Sequence, residues 1–172
     1  MAMERFECLA KQVYEILKKS ELDLEIPHAK NTLKWIFKMK PNPSEALMIA
    51  AIGHDIERGY PPRVKQKEGE AFDELKARHS KRSAEKMTIL MKKLGYDLST
   101  IDAVVDLVLK HEVGGTEDSD ILMDADSISY FDPENLEYYA QRKTPEEVKY
   151  QIEYKFNRCS KRAQKYIKKL LN

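Results

Sequence analysis

Apolar residues recur along this chain at intervals of three and four, and the alternation of half-buried strands is almost absent. Phe6, Leu9, Val13 and Leu17 mark the inner face of a first helix, which fades in "KKSELDLEIP". Pro27 suits the first turn of a second helix running through "HAKNTLKWIFKM". After the loop "KPNPSE", Ser44 is a natural N-cap for a third helix, "EALMIAAIGHDIE". That segment is apolar on nearly every side, as expected in the middle of a bundle. An irregular basic connection, "RGYPPRVKQKEG", leads to a fourth helix in "EAFDELKARHSKRSAEKMTILMKKLG", capped by Gly95. A fifth, "DLSTIDAVVDLVLKHEV", is stopped by Gly114–Gly115, and a sixth, "ILMDADSISYF", by Pro133. Thr144-Pro145-Glu146-Glu147 opens a long last helix, 144–171, with a core-facing stripe of Phe156, Cys159, Ala163, Tyr166, Ile167 and Leu170. The pattern predicts an all-α, single-domain helical bundle over residues 1–172, without repeats or linkers.

Composition changes this picture little. The 172 residues are 34% charged and 42% hydrophobic, which fits one folded domain with a sizeable core. A net charge of +1 argues against nucleic acid or an acidic membrane as partner. The basic face of "KFNRCSKRAQKYIKK" then reads as a solvated surface. Cys8 and Cys159 lie far apart without metal-finger spacing, as reduced thiols of a cytoplasmic protein would. "MAMERFECLAKQ" lacks the apolar stretch of a secretion signal, and no segment approaches the ~20 apolar residues of a membrane span.

The chemistry concentrates in "IAAIGHDIERGY", where an apolar run ends in His54-Asp55. A charged carboxylate is costly to bury without a partner, and a divalent cation satisfies both it and a neutral imidazole. The other three histidines fall on separate predicted helices: His28 before the pair, His79 and His111 after it. Asp124 and Asp126 interrupt a further apolar helix. Seven such groups, on separate helices or in apolar context, predict a metal site.

The order of these residues resembles the HD-domain superfamily of metal-dependent phosphohydrolases. "GHD" matches its histidine–aspartate pair, "RHSKRSAEKMTILMKKLGYD" its third-histidine helix, "VVDLVLKHE" its fourth, and "DADSISYF" its terminal aspartate motif. The likeness covers about residues 20–140, with the last helix packed on that core. It implies His28, His54, Asp55 and Asp126 as ligands of a divalent metal, with Mn, Fe, Co, Ni, Mg and Zn all open. Asp126 follows alanine as the family's last ligand does; Asp124 is its rival. Two residues on a helix are about 200° apart, so both cannot point into one site. The other aspartate is expected to orient a histidine. His79 and His111 then either hold substrate phosphate or bind a second metal, with Asp55 bridging.

The function so implied is hydrolysis of a phosphoester or phosphoanhydride of a small anionic molecule, such as a nucleotide, by metal-activated water. Fixed cations should meet the developing charge. Arg58 lies four residues after His54, Arg78 and Arg82 flank His79 on one face, and Lys81, Lys110, Arg63 and Lys65 are further candidates. Several members carry an acid where Arg58 stands, which leaves Glu57 as candidate general base and Glu112 as second choice. The basic connection is a candidate lid. The same donors also suit a di-iron oxygenase or a non-catalytic metal-binding module.

Overall fold

A computed structural model describes residues 2–172, and among them every regular element is helical. The helices are α1 Ala2–Leu17, α2 Glu25–Met39, α3 Glu45–Gly53, α4 Phe72–Lys93, α5 Leu98–Lys110, α6 Glu117–Tyr130, α7 Pro133–Ala140, α8 Pro145–Arg158 and α9 Lys161–Leu170. They form the single all-α domain that the periodicity predicts. Helix α3 is its axle: Leu47, Ile49, Ala50, Ala51 and Ile52 are buried, and α1, α2, α5 and α6 pack around it. A helix without a polar face is stable only when neighbours cover it on all sides.

Local signals set most boundaries. Ser44 accepts a hydrogen bond from the Leu47 amide at the start of α3, and Asp97 and Thr116 cap α5 and α6 in the same way. Gly95, at φ +73°, closes α4: its amide reaches Lys92 O while the Tyr96 amide reaches Met91 O. Helix α2 starts two residues before Pro27, which is tolerated because the first-turn amides have no intrahelical acceptor.

Helix α6 starts at Glu117, four residues before the expected Ile121, and three further boundaries depart from expectation, two of which shape the site. The third helix stops at Gly53, short of Glu57; His54 ends it, and Ile56–Gly59 form a 3-10 turn. Gly53 lies so close to Met87 of α4 that a Cβ would sit 2.5 Å from its sulfur. The turn that follows changes the chain's direction at the histidine–aspartate pair. Pro133 opens an extra helix of 8 residues, α7, rather than only closing α6. The last helix, expected over 144–171, breaks at Cys159–Ser160, where both residues are extended. Ser160 caps α9 and donates to Asp124 of α6, so the break is a docking point. Cys159, Ala163 and Ile167 are buried, and Phe156, Tyr166 and Leu170 pack against the core's edge.

Candidate metal centre

His28 on α2, His54 at the end of α3 and Asp126 on α6 meet where these helices converge. His28 Nε2 lies 3.2 Å from His54 Nε2 and 3.1 Å from Asp126 Oδ1. Asp55 Oδ2 is 3.7 Å from each of the two Nε2 atoms. Each ring is held through its other nitrogen, His54 Nδ1 by Ala51 O at 3.0 Å and His28 Nδ1 beside Ser129 Oγ at 3.0 Å. Ala51 O fixes the His54 proton on Nδ1 and leaves its Nε2 lone pair facing His28 Nε2. A lone pair and two carboxylate oxygens in one spot repel unless a proton on His28 Nε2 or a metal cation lies among them. Ligands about 2.1 Å from an ion sit roughly 3.0–3.4 Å from their neighbours in octahedral or tetrahedral arrangement. The observed spacings are close to that.

A second group adjoins the first through Asp55. Its Oδ1 accepts from His79 Nε2 at 2.7 Å and lies 3.9 Å from His111 Nε2. His79 Nδ1 is fixed by Glu57 Oε1 at 2.9 Å, and His111 Nδ1 by Val108 O at 2.7 Å. His111 Nε2 is fully buried without a hydrogen-bond partner; Glu112 Oε1 is 3.4 Å away but out of line. A buried lone pair without a donor, aimed at a carboxylate, is an arrangement that a cation would satisfy. Both groups, His28–His54–Asp126 and Asp55–His79–His111, therefore have the donor types and spacing to hold a metal ion.

Charge at the site is strongly coupled. Burial opposes ionisation of Asp55, yet Arg58, His54 and His79 outweigh it and hold the carboxyl well below its ordinary range. Burial likewise disfavours a charged His79, but Asp55 and Glu57 push its pKa up to about 9. His111 moves the other way: burial lowers it, helped by His54 and His79, so its ring stays neutral.

The structure reassigns several residues. Asp124 points away from the histidines and accepts from Ser160 N at 2.8 Å and from Ser160 Oγ. It ties α6 to α9 and orients no histidine. Glu57, expected as general base, has both oxygens in use, one on His79 and one on the Val64 amide at 3.0 Å. Burial raises its pKa, but His79 and the Val64 amide lower it further, so it is a weak base that positions a ring. Glu112 is occupied by Lys76 at 2.6 Å and by Arg158. Arg58 reaches Asp55 at 2.8 Å and Glu25 at 3.1 Å from the 3-10 turn rather than from a helical face. Arg82 binds Tyr60 O and Pro62 O, and Arg78 binds Glu70 and Lys65 O. Both arginines brace the basic connection, and Lys110 pairs with Asp106.

Two site cations escaped the sequence reading. Lys155 and Arg158 of α8 both bind Asp126, the lysine at 2.9 Å. Asp126 is held well below the usual carboxylate range: burial works against ionisation, and Lys155, Arg158 and His28 overcome it. Burial lowers Lys155 to about 8. The available signal was spacing: Lys155 precedes the buried Cys159 by four residues and so shares its inward face.

A cavity of about 340 Å³ opens onto the site. His28, Asp55, His79 and Asp126 form its floor; Arg58 and Lys155 flank them, and Tyr130, Tyr138, Tyr139 and Phe72 contribute aromatic wall. Its size suits a small molecule.

Fold and site together define an all-α single-domain protein with buried histidine–aspartate groups able to hold metal at the floor of a cationic cavity. The chain belongs to the family described as "Domain of unknown function (DUF4202)", whose profile matches residues 7–171. No curated protein and no solved structure matches it. Among the described residues no helix is long and apolar enough to cross a membrane.

Proposed function

We propose that this chain is a metal-dependent phosphohydrolase of the HD-domain kind, acting on a phosphoester or phosphoanhydride of a small molecule such as a nucleotide. The observation that carries the reading is Asp55, whose two oxygens face two different sets of histidines, as a bridging carboxylate would. A divalent ion on these donors supplies a bound water of lowered pKa and polarises a phosphoryl oxygen. The chain's own residues do the remaining work. Ser129, Ala51 O, Glu57 and Val108 O hold the four imidazoles with Nε2 toward the site. Arg58 and Lys155 present positive charge where a phosphoryl group gathers negative charge. Burial raises the Tyr139 phenol well above its ordinary pKa, so it remains a hydrogen-bond donor on the same wall.

Element analysis of protein purified without chelators, followed by a phosphatase panel with that metal restored, tests the reading. Bound metal together with metal-dependent release of phosphate is the expected result. A loaded protein that cleaves nothing across a broad panel would be a non-catalytic metal module. Iron accompanied by oxygen consumption would make it a di-iron oxygenase.

A further inference from the structure

The cations around the cavity outnumber what a phosphate monoester needs. Arg58, Arg63, Lys76, Arg142, Lys143 and Lys155 line it, against the carboxylates Asp55, Glu57 and Asp126. Four of the six have acidic partners: Arg58 has Glu25 and Asp55, Lys76 has Glu112, Lys155 has Asp126, and Arg63 has Glu21 at 3.6 Å. Arg142 and Lys143, in the turn between α7 and α8, make no ion pair among the described residues. Aromatic rings support them instead. The Arg142 guanidinium lies 3.7 Å over the Tyr138 ring, and Lys143 Nζ lies 5.0 Å from the Tyr139 centroid. Burial pulls the Lys143 ammonium below its ordinary value; Glu147 opposes this, while Arg58, Arg63 and Lys76 reinforce it. Positive charge is thus crowded together at this wall. Tyr130, 4% exposed and also on the cavity, has a hydroxyl with no hydrogen-bond partner. A buried donor without an acceptor, on the same cavity as two cations without an ion pair, is chemistry suited to an oxyanion.

Resting on the phosphohydrolase reading, we propose that Arg142, Lys143 and the Tyr130 hydroxyl form a subsite for a second phosphoryl group. The favoured substrate then carries two adjacent phosphoryl groups, as a diphosphate does, rather than one. A terminal phosphate brings nearly two negative charges, which Arg58, Lys155 and the metal groups can meet alone. The turn supplies charge for the neighbouring phosphate.

Calorimetric titration of the protein with its own metal tests this, using methylphosphonate and methylenebisphosphonate as non-hydrolysable probes. Bisphosphonate chelates metal in any protein, so the decisive quantity is how the ratio of the two affinities changes on substitution. The double variant Arg142→Gln/Lys143→Gln should lower that ratio by about tenfold or more, with methylphosphonate binding changed less than about twofold. Removing two exposed cations elsewhere, in Arg162→Gln/Lys165→Gln on α9, should leave the ratio as it is. An equal ratio in wild type and the turn variant overturns the subsite while leaving the phosphohydrolase reading intact. Failure of the metal-loaded wild type to bind either probe overturns both.

Discussion

Asp55→Asn is the substitution to which the metal centre is most sensitive, because one side chain faces both donor groups. Asparagine preserves the shape but removes the anion that lies 3.7 Å from His28 and His54 Nε2 and 2.7 Å from His79 Nε2. The consequence can be read as stability. An ion that binds only the folded chain, present at a hundred times its dissociation constant, stabilises by about 2.7 kcal/mol. For a domain of this length that raises the melting temperature by about 5–11 °C, and by roughly twice as much if both groups fill. Melting should be followed by circular dichroism in EDTA and in graded metal, with element analysis of the same samples. Wild type should show the rise; Asp55→Asn should show almost none at the same concentration while keeping its helical signal. A variant that still gains the full shift, with metal retained, would refute the assignment of Asp55 to the ions and the proposed function with it.

Asp124→Ala separates the two aspartates of α6. It loses two hydrogen bonds from Ser160 to a buried carboxylate, about 3 kcal/mol or more by urea unfolding, yet should leave metal affinity unchanged. Loss of metal would show that Asp124 is a ligand after all. Gly59→Ala places a Cβ 2.4 Å from the carbonyl oxygen of Ile16, in the backbone of α1, which has little freedom to give way. It should cost about 1–3 kcal/mol, and an unchanged unfolding midpoint would contradict the close approach. Burial raises the Cys159 thiol to about 11, so near pH 8 only about one molecule in a thousand carries the thiolate. Cys8 is exposed, and alkylation should reach it first in the native protein; modification of both at one rate would contradict the packing of α8 and α9 on α6.

Much of this architecture was legible in one dimension. Helical periodicity, Ser44, Gly95 and Thr144–Glu147 are signals carried within a few residues, and the corresponding caps form. The four histidines and three aspartates stood out because polar groups in apolar helices need partners. Where α3 stops was not legible, because the close contact between Gly53 and Met87 involves a helix about thirty residues further on. The break at Cys159–Ser160 was hidden for the same reason: Asp124, the partner that holds Ser160, lies 36 positions earlier.

The class of fold and the residue types available for coordination could be read in one dimension, since both follow from local spacing and from the cost of burying charge. Which atoms meet depended on how the helices pack. That packing turned Asp126 toward the histidines and Asp124 toward Ser160, reduced Glu57 to a support for His79, and brought Lys155 and Arg158 of α8 onto Asp126. Those outcomes depend on the rotation and crossing of whole helices, which are set by the summed packing of the core. No short stretch of chain encodes that sum.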